Sequence, residues 1–203
     1  MFIVIRLIVC SLLFIFAIVA VTASKAKHKR LLYLSSLCVS LVIFVISTFV
    51  LIENCFVTFD SPNQAYEYYH FGSSDIELVV EGDGGDFVIE SKTDSYSYLI
   101  IPKTSDGWKL GLGADTKMIA QKIDKEIVAF VYQYKNSSDY FISITDIGDG
   151  ETTVTDGFDT KFYSLERQND TLDKRTVTHY AYIPCFDSQY SITVNGREII
   201  ISN

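Results

Sequence analysis

Two long apolar runs open the chain, and a short basic stretch separates them. Residues 1–23 contain one charged side chain, that of Arg6, and residues 31–52 contain none. A helix rises about 1.5 Å per residue, so about 22 residues extend roughly 33 Å and cross a hydrocarbon core of about 30 Å. Because a helix pairs its backbone amides internally, as lipid requires, the pattern predicts transmembrane helices at residues 1–23 and 31–52.

The basic stretch at residues 24–30 sets the predicted orientation. Its cationic side chains are those of Lys25, Lys27, Lys29 and Arg30. Short loops rich in Lys and Arg stay in the cytoplasm, whereas Arg6 can reach the headgroups from the first run. We therefore predict a multi-pass plasma-membrane protein with a cytoplasmic loop at residues 24–30 and with residues 53–203 outside. A cleaved signal peptide and a buried helical hairpin of a soluble protein stay open as alternatives.

Residues 53–203 change to short aromatic and β-branched stretches separated by Gly, Asp and Asn. This pattern predicts strands joined by turns. The clearest stretch is 126–135, whose start is apolar on both faces and indicates an interior strand. Asn195-Gly196 predicts a two-residue hairpin, because a type I′ turn needs positive φ at both positions. The predicted strands are 55–59, 76–81, 87–91, 96–102, 108–112, 126–135, 140–146, 152–155, 161–165, 176–183, 190–194 and 198–201.

One short helix is predicted at residues 61–70. Ser61 can cap it, Pro62 suits the first helical position, and Gln64 completes a capping box. Residues 117–125 fit both a helix and a strand, and their context favours a strand. The predicted fold class is therefore a membrane-anchored, mainly β chain. Its two-helix hairpin precedes an antiparallel β domain, a sandwich or a curved sheet, with one short helix.

Residues 1–52 and residues 53–203 also differ in charge. Residues 1–52 hold five basic and no acidic side chains, residues 53–203 hold 12 basic and 25 acidic ones, and the net charge is −8. Binding of nucleic acid needs clustered Lys and Arg to neutralise phosphates. The acidic part therefore excludes nucleic acid as a partner.

Cys55 and Cys185 are the two cysteines of the acidic part. In an oxidising exterior, a bridge between them would close a loop of about 130 residues and stabilise the fold by roughly 4–5 kcal/mol on the chain-entropy model. We predict this structural disulfide. Two unrelated thiols are the alternative, because sequence does not give the Cα separation that a bridge requires.

Motifs of an enzyme or of a cofactor site are absent from the sequence. His70 and His179 are the histidines of residues 53–203, and no pair has metal-ligand spacing. The acidic run from Asp146 to Asp159 does not follow the order of a calcium loop, and Asp and Gly also favour turns. We therefore predict no catalytic, cofactor-binding or metal-binding residues and no enzymatic activity. An envelope hydrolase or transferase with an active site assembled from scattered residues is the alternative.

Four stretches of residues 53–203 carry a family resemblance: 59–65 (FDSPNQA), 105–109 (SDGWK), 139–144 (DYFISI) and 194–199 (VNGREI). With the two apolar runs, they resemble uncharacterised membrane-anchored proteins of bacterial cell envelopes that have a small β-rich outer domain. The resemblance implies a cell-surface location and supplies no catalytic residues. We expect a non-enzymatic module that binds a protein, a peptide or a surface polymer, with aromatic side chains as one means of binding. A membrane accessory protein acting through its helices is a further alternative.

Overall fold

The computed structural model of this chain divides into two compact units. One unit comprises Met1–Thr58 and Glu67–Ser74, and the other comprises Phe59–Tyr66 and Asp75–Asn203. The residues that the structure describes are 2–23, 28–49, 52–70, 73–92, 95–111, 115–135, 137–148, 152–169, 174–187 and 189–202.

Helices α1 (Phe2–Ala23) and α2 (Lys29–Phe49) pack against each other in the first unit. The Lys29 ammonium donates a hydrogen bond to the carbonyl oxygen of Thr22 at 3.0 Å. Among the described residues, one helical segment, Lys29–Ile46, is long and apolar enough to cross a membrane, and Leu7–Ala23 is a shorter apolar segment. Length and composition therefore support one crossing more directly than the predicted two.

Helix α3 (Pro62–His70) begins as the sequence predicts. The Ser61 hydroxyl accepts a hydrogen bond from the Gln64 amide at 3.2 Å, and the Gln64 side-chain oxygen accepts one from the Asp60 amide at 3.2 Å. These reciprocal bonds satisfy amides that the first helical turn leaves without partners. The helix buries Tyr66, whose hydroxyl donates to a carboxylate oxygen of Glu90 at 3.0 Å.

The second unit is built from antiparallel sheets, one of which curls into a half-barrel. In the described residues the sheet orders are β1-β2-β3-β4, β5-β6-β7-β10-β9 and β12-β11-β8. The strands are β1 (Ile76–Val80), β2 (Gly85–Ser91), β3 (Tyr96–Thr104), β4 (Gly107–Trp108), β5 (Thr116–Asp124), β6 (Ile127–Tyr134), β7 (Tyr140–Ile147), β8 (Val154–Asp156), β9 (Tyr163–Asn169), β10 (Lys174–Ile183), β11 (Ser191–Val194) and β12 (Arg197–Ile200).

The five-stranded sheet is apolar on both faces because a sheet packs against each of them. One face carries Val131 and Ile142 and packs against Ile192 of the β12-β11-β8 sheet. The opposite face carries Tyr132 and Phe141 and packs against residues of β1, β2 and β3. This double burial explains why β6 lacks a clean alternation of apolar and polar residues, and β6 is an interior strand as predicted.

Most predicted strands are confirmed to within a few residues, including the ambiguous segment that forms β5, and so is the closing hairpin. Asn195 and Gly196 have φ angles of 51° and 77°, and their flanking residues Val194 and Arg197 pair across the turn. Positive φ at both central positions is what a type I′ turn requires.

Two predicted strands are wrong. The strand predicted at 55–59 follows a 3₁₀ turn, Ile52–Cys55, and the amides of Phe56 and Val57 donate to the Glu53 carbonyl at 2.9 and 2.8 Å. Pairing is left to Phe59, which forms an isolated antiparallel bridge with Trp108. The strand predicted at 108–112 ends at Trp108, and residue 112 lies outside the described residues.

Candidate functional site

Four tyrosines meet in the layer between the four-stranded and the five-stranded sheet, and we call them the tyrosine cluster. They are Tyr96 and Tyr98 on β3, Tyr132 on β6 and Tyr180 on β10. The ring centroids of Tyr98 and Tyr132 are 4.6 Å apart, and those of Tyr96 and Tyr180 are 6.4 Å apart, edge to face. The Phe87 ring lies 5.5 Å from Tyr132 and 6.3 Å from Tyr180, so it joins the two pairs into one aromatic group.

The Tyr132 hydroxyl lies near the side-chain hydroxyls of Tyr98 and Ser143. Burial raises the pKa of Tyr132 far above its usual value, and the neighbouring Tyr98 adds to the rise. The hydroxyl therefore stays protonated and serves as a hydrogen-bonding group rather than as a nucleophile.

A second pair of hydroxyl contacts lies beside the first. The Thr145 and Thr178 hydroxyl oxygens are 3.1 Å apart, and Thr178 lies beside Tyr180 on the same face of β10. Burial raises the pKa of Tyr180 as well, with a further contribution from the nearby Tyr96. Buried hydroxyls cost free energy unless they are paired, and here they pair with one another.

The cluster has an accessible side and a buried side. Tyr98 is 41% exposed and Tyr96 is half-buried, whereas Tyr132 and Tyr180 are only 4% and 3% exposed. Tyr96 and Tyr98 are two residues apart on one strand, so they project from the same face about 7 Å apart. The buried pair thus supports two adjacent accessible rings from beneath.

Two charged side chains flank Tyr96. The guanidinium carbon of Arg167 lies 5.2 Å from the Tyr96 ring centroid, within cation–π range, and the Arg167 side chain also donates to the carbonyl of Lys92. The Glu77 carboxylate lies near Tyr96 and interacts with it electrostatically. Burial and then Glu77 raise the pKa of Tyr96, and Arg167 opposes them. The accessible rings therefore have one acceptor and one cation at their edge.

A separate group of carboxylates braces the loop between β1 and β2. The Asp139 carboxylate accepts bonds from the Gly84 amide at 3.0 Å and from the Tyr182 hydroxyl at 3.3 Å. The same hydroxyl lies 3.0 Å from an Asp83 oxygen. These carboxylates are engaged in holding the loop, so we interpret the group as structural.

Asp146 and His179 lie on the opposite face of the five-stranded sheet. One Asp146 oxygen accepts bonds from the Thr152 hydroxyl at 3.0 Å and the Asn195 amide group at 3.2 Å. His179 is 7% exposed, and burial lowers its pKa while Asp146 opposes the change. The imidazole is therefore held neutral inside the sheet packing.

The carboxylate of Asp156, at the end of β8, is hydrogen-bonded to groups of the turn that follows and to Tyr190. Its carboxylate accepts bonds from the Phe158 and Thr160 amides, at 2.9 and 3.1 Å, and from the Tyr190 hydroxyl at 3.0 Å. Burial alone would raise the pKa of Asp156, but these bonds together with the Thr160 hydroxyl hold it below the usual value. Across the described residues, no group of three His, Cys, Asp or Glu side chains is arranged to hold a metal ion.

The cysteines singled out from the sequence are not brought together. Cys55 and Cys185 belong to different units, and both are exposed free thiols. Cys10 and Cys38 are free thiols as well. The bridge predicted between Cys55 and Cys185 is thus absent from the structure and stays a prediction without structural support.

Of the basic residues predicted to set the orientation, the structure describes Lys29 and Arg30 at the start of α2, both exposed. Arg30 lines a shallow apolar groove of about 410 Å³ between α1 and α2, together with Tyr33, Leu34 and Leu37 of α2 and Phe14 and Ile18 of α1. Lys25 and Lys27 lie outside the described residues.

The tyrosine cluster is not evident from the sequence. Its members come from strands far apart in the chain, and aromatic residues at alternating strand positions are typical of any core. The available signal was the hydroxyl itself, because a buried tyrosine needs a polar partner that a phenylalanine does not.

Comparison with known proteins adds no family to this geometry. No protein-family model, no curated protein and no solved structure matches the chain. The resemblance to bacterial envelope proteins therefore stays an expectation from the sequence.

Proposed function

We propose that this chain is a membrane-tethered, non-enzymatic binding module of the cell envelope whose tyrosine cluster binds a neutral surface polysaccharide. The observation that carries the proposal is the pair of accessible rings, Tyr96 and Tyr98, which pack on the buried rings of Tyr180 and Tyr132 at 6.4 and 4.6 Å. Such a platform is rigid and amphipathic, and rigid aromatic side chains bind with little loss of conformational entropy.

The chemistry of the platform favours a sugar polymer. The apolar faces of sugar rings stack on aromatic rings, and their hydroxyls pair with groups such as the Tyr98 hydroxyl and the Glu77 carboxylate. Residues 53–203 have 13 more acidic than basic side chains, 25 against 12. This excess disfavours polyanions, so the polymer is expected to be uncharged.

The absence of an activated group on the platform favours binding over catalysis. The pKa values of Tyr96, Tyr132 and Tyr180 are raised, which is the direction opposite to activation as a nucleophile. A nucleophilic tyrosine would need the opposite shift or an adjacent base. The protein is therefore proposed to retain its ligand without changing it.

The tether in this proposal is the helical hairpin, with Lys25, Lys27, Lys29 and Arg30 on the cytoplasmic side and residues 53–203 outside. The apolar segments Leu7–Ala23 and Lys29–Ile46 and the basic loop between them support it. In a cysteine-free background, an impermeant thiol reagent should label Ser137→Cys in intact cells and miss Ser24→Cys. Labelling of position 24 alone would invert the orientation and refute an external binding role.

Binding is tested with the full chain in detergent micelles. The probes are two uncharged insoluble polysaccharides, chitin and cellulose, and the readout is depletion of protein from solution. We expect Tyr98→Ala to weaken binding about tenfold, as for a buried aromatic anchor, and Tyr98→Phe to weaken it less. Phe158→Ala is the matched control, because Phe158 is also an exposed aromatic residue, at 55%, but belongs to the turn after β8.

Three results would overturn the proposal. The first is no binding of the unaltered protein to either polymer, and the second is equal binding by the Tyr98→Ala variant. The third is release of soluble sugar fragments, because it would make the protein an enzyme.

A further inference from the structure

Strand β5 is an open edge of the five-stranded sheet. It pairs with β6 along one side, and among the described residues no strand pairs with its other side. Its nine residues, Thr116–Asp124, include Met118 and Ile123, whose side chains are 53% and 62% exposed. A long edge strand with exposed apolar side chains is a template for pairing with another strand.

A β-bulge divides β5 into two segments. The pairing with β6 skips Ile119, so Met118 lies opposite Tyr132 and Ala120 lies opposite Val131. Lys117, Ala120, Lys122 and Asp124 therefore share one face of the sheet. Met118, Gln121 and Ile123 share the other face, and this assignment fixes which residues can oppose each other in any further pairing.

We infer that two copies of this chain associate through antiparallel pairing of their β5 strands, with Gln121 of each copy on the two-fold axis. Counting outward from Gln121, Lys122 opposes Ala120 of the other copy, Ile123 opposes Met118, and Asp124 opposes Lys117. The bulge at Ile119 keeps every opposed pair on the same face. The strand is thus self-complementary, as a two-fold interface requires.

The charges of β5 select this register. Moving the axis one position towards Ala120 opposes Lys122 with Lys117 of the other copy. Moving it one position towards Lys122 opposes that lysine with its own symmetry mate. Like charges directly opposite each other destabilise a strand pair, whereas the register centred on Gln121 forms two Lys117–Asp124 pairs and two Met118–Ile123 contacts.

Asp124 would share its carboxylate between Arg197 of its own copy and Lys117 of the other copy. It is partly exposed, with 27% of its side chain accessible, and Arg197 holds it in place as an ion-pair partner. Lys117 is exposed at the other end of the strand. A bulge and lysines also protect the edges of monomeric proteins, so a monomer is the outcome that competes with this inference.

The interface is small compared with a standard interface of about 1,600 Å², so the dimer is expected to be weak and is best detected by cross-linking. Residues directly opposed in an antiparallel pair have Cα atoms about 4.5–5.5 Å apart, within the range for a disulfide. In the full chain in detergent micelles, with Cys10, Cys38, Cys55 and Cys185 replaced by serine, Gln121→Cys should form a covalent dimer on oxidation. Ile200→Cys is the control, because Ile200 is 55% exposed on the edge strand β12.

Two further variants in the Gln121→Cys background test the register. Lys117→Glu should slow cross-linking about tenfold, because both symmetry-related pairs change from opposite to like charge. Lys122→Glu makes the same charge change on the same strand but faces Ala120, so its effect should be less than about twofold. Trp108 fluorescence confirms that each variant is folded.

The inference is supported when Gln121→Cys cross-links at least tenfold faster than Ile200→Cys and Lys117→Glu slows it selectively. It is overturned when the two cysteine variants cross-link at equal rates or not at all. Equal effects of Lys117→Glu and Lys122→Glu overturn the register. Polysaccharide binding is not needed for any of these outcomes.

Discussion

Acidification should destabilise the β-sheet unit through His179. This residue is 7% exposed, and burial lowers its pKa below the ordinary value of 6.5, with the Asp146 carboxylate acting in the opposite direction. Unfolding returns the imidazole to water and restores its ordinary pKa. Below pH 6.5 the unfolded state therefore binds more protons than the folded state, and the free energy of unfolding falls as the pH falls.

The size of this effect has an upper limit. While the folded imidazole stays neutral and the unfolded one is protonated, each pH unit lowers the free energy of unfolding by about 1.4 kcal/mol. Between about pH 7.5 and 5.5, where the unfolded imidazole becomes protonated, the loss is at most about 1.4 kcal/mol. Carboxyl groups with ordinary pKa values change little over this interval.

Urea unfolding followed by Trp108 fluorescence measures the loss. Trp108 is the chain's one tryptophan, and its indole N–H donates to the Asp86 carboxylate at 2.6 Å, so it reports on the β-sheet unit. We expect the unaltered full chain in detergent micelles to lose stability over this interval. His179→Gln, which cannot titrate there, should lose much less.

Parallel pH profiles for the unaltered protein and His179→Gln would refute the argument, because the slope would then come from other groups. It would also be refuted if the free energy of unfolding rose on acidification in the unaltered protein but not in His179→Gln, because the effect of the imidazole would then have the opposite sign. Either result would mean that the imidazole is solvated or charge-paired in the folded state.

Three further predictions concern the stability of the same unit and use the same fluorescence assay. Phe141→Ala removes a fully buried ring 5.2 Å from that of Phe87 and should lower the free energy of unfolding by about 3–5 kcal/mol. Phe141→Leu should lower it less, and a loss below about 1 kcal/mol for Phe141→Ala would contradict this packing. Gly82→Ala would place a Cβ 2.5 Å from the Gly85 carbonyl oxygen and should lower the free energy of unfolding by about 2 kcal/mol or more. Gly157→Ala, whose new Cβ meets nothing within 4 Å, should lower it far less, and equal losses would contradict the steric explanation. Asn195→Ala should lower the free energy of unfolding by about 1–2 kcal/mol, because Asn195 has a positive φ of 51° and accepts a bond from the Thr153 amide at 2.9 Å. Asn195→Gly, which tolerates that φ, should lower it less, and a larger loss for glycine would show that the turn conformation is not the cause.

Local sequence patterns predicted many of the helices, strands and turns of the fold. The capping box at Ser61 and Gln64 and the Asn195-Gly196 turn were predictable because each depends on residues within a few positions of one another. β6, β7 and β10 were predictable as strands because aromatic and β-branched residues dominate them. The residue types thus identified elements and turns without showing how they assemble.

The assembly depended on contacts that sequence spacing does not encode. β10 pairs with β7 across the intervening β8, which joins another sheet. The strand predicted at 55–59 is reduced to a bridge between Phe59 and Trp108, because the amides of Phe56 and Val57 pair with the Glu53 carbonyl. The tyrosine cluster required the positions of β3, β6 and β10 together, so it became visible only in the folded chain.

The ring packing of the tyrosine cluster links the fold to its proposed role. The Tyr98 ring lies 4.6 Å from that of Tyr132, which is 4% exposed and lies 5.5 Å from the Phe87 ring. This packing holds the ring of Tyr98, which is 41% exposed, from its buried side. An accessible ring that is already fixed loses little conformational entropy when a ligand stacks on it. The same aromatic packing that fills the layer between the sheets therefore prepares its accessible edge for binding.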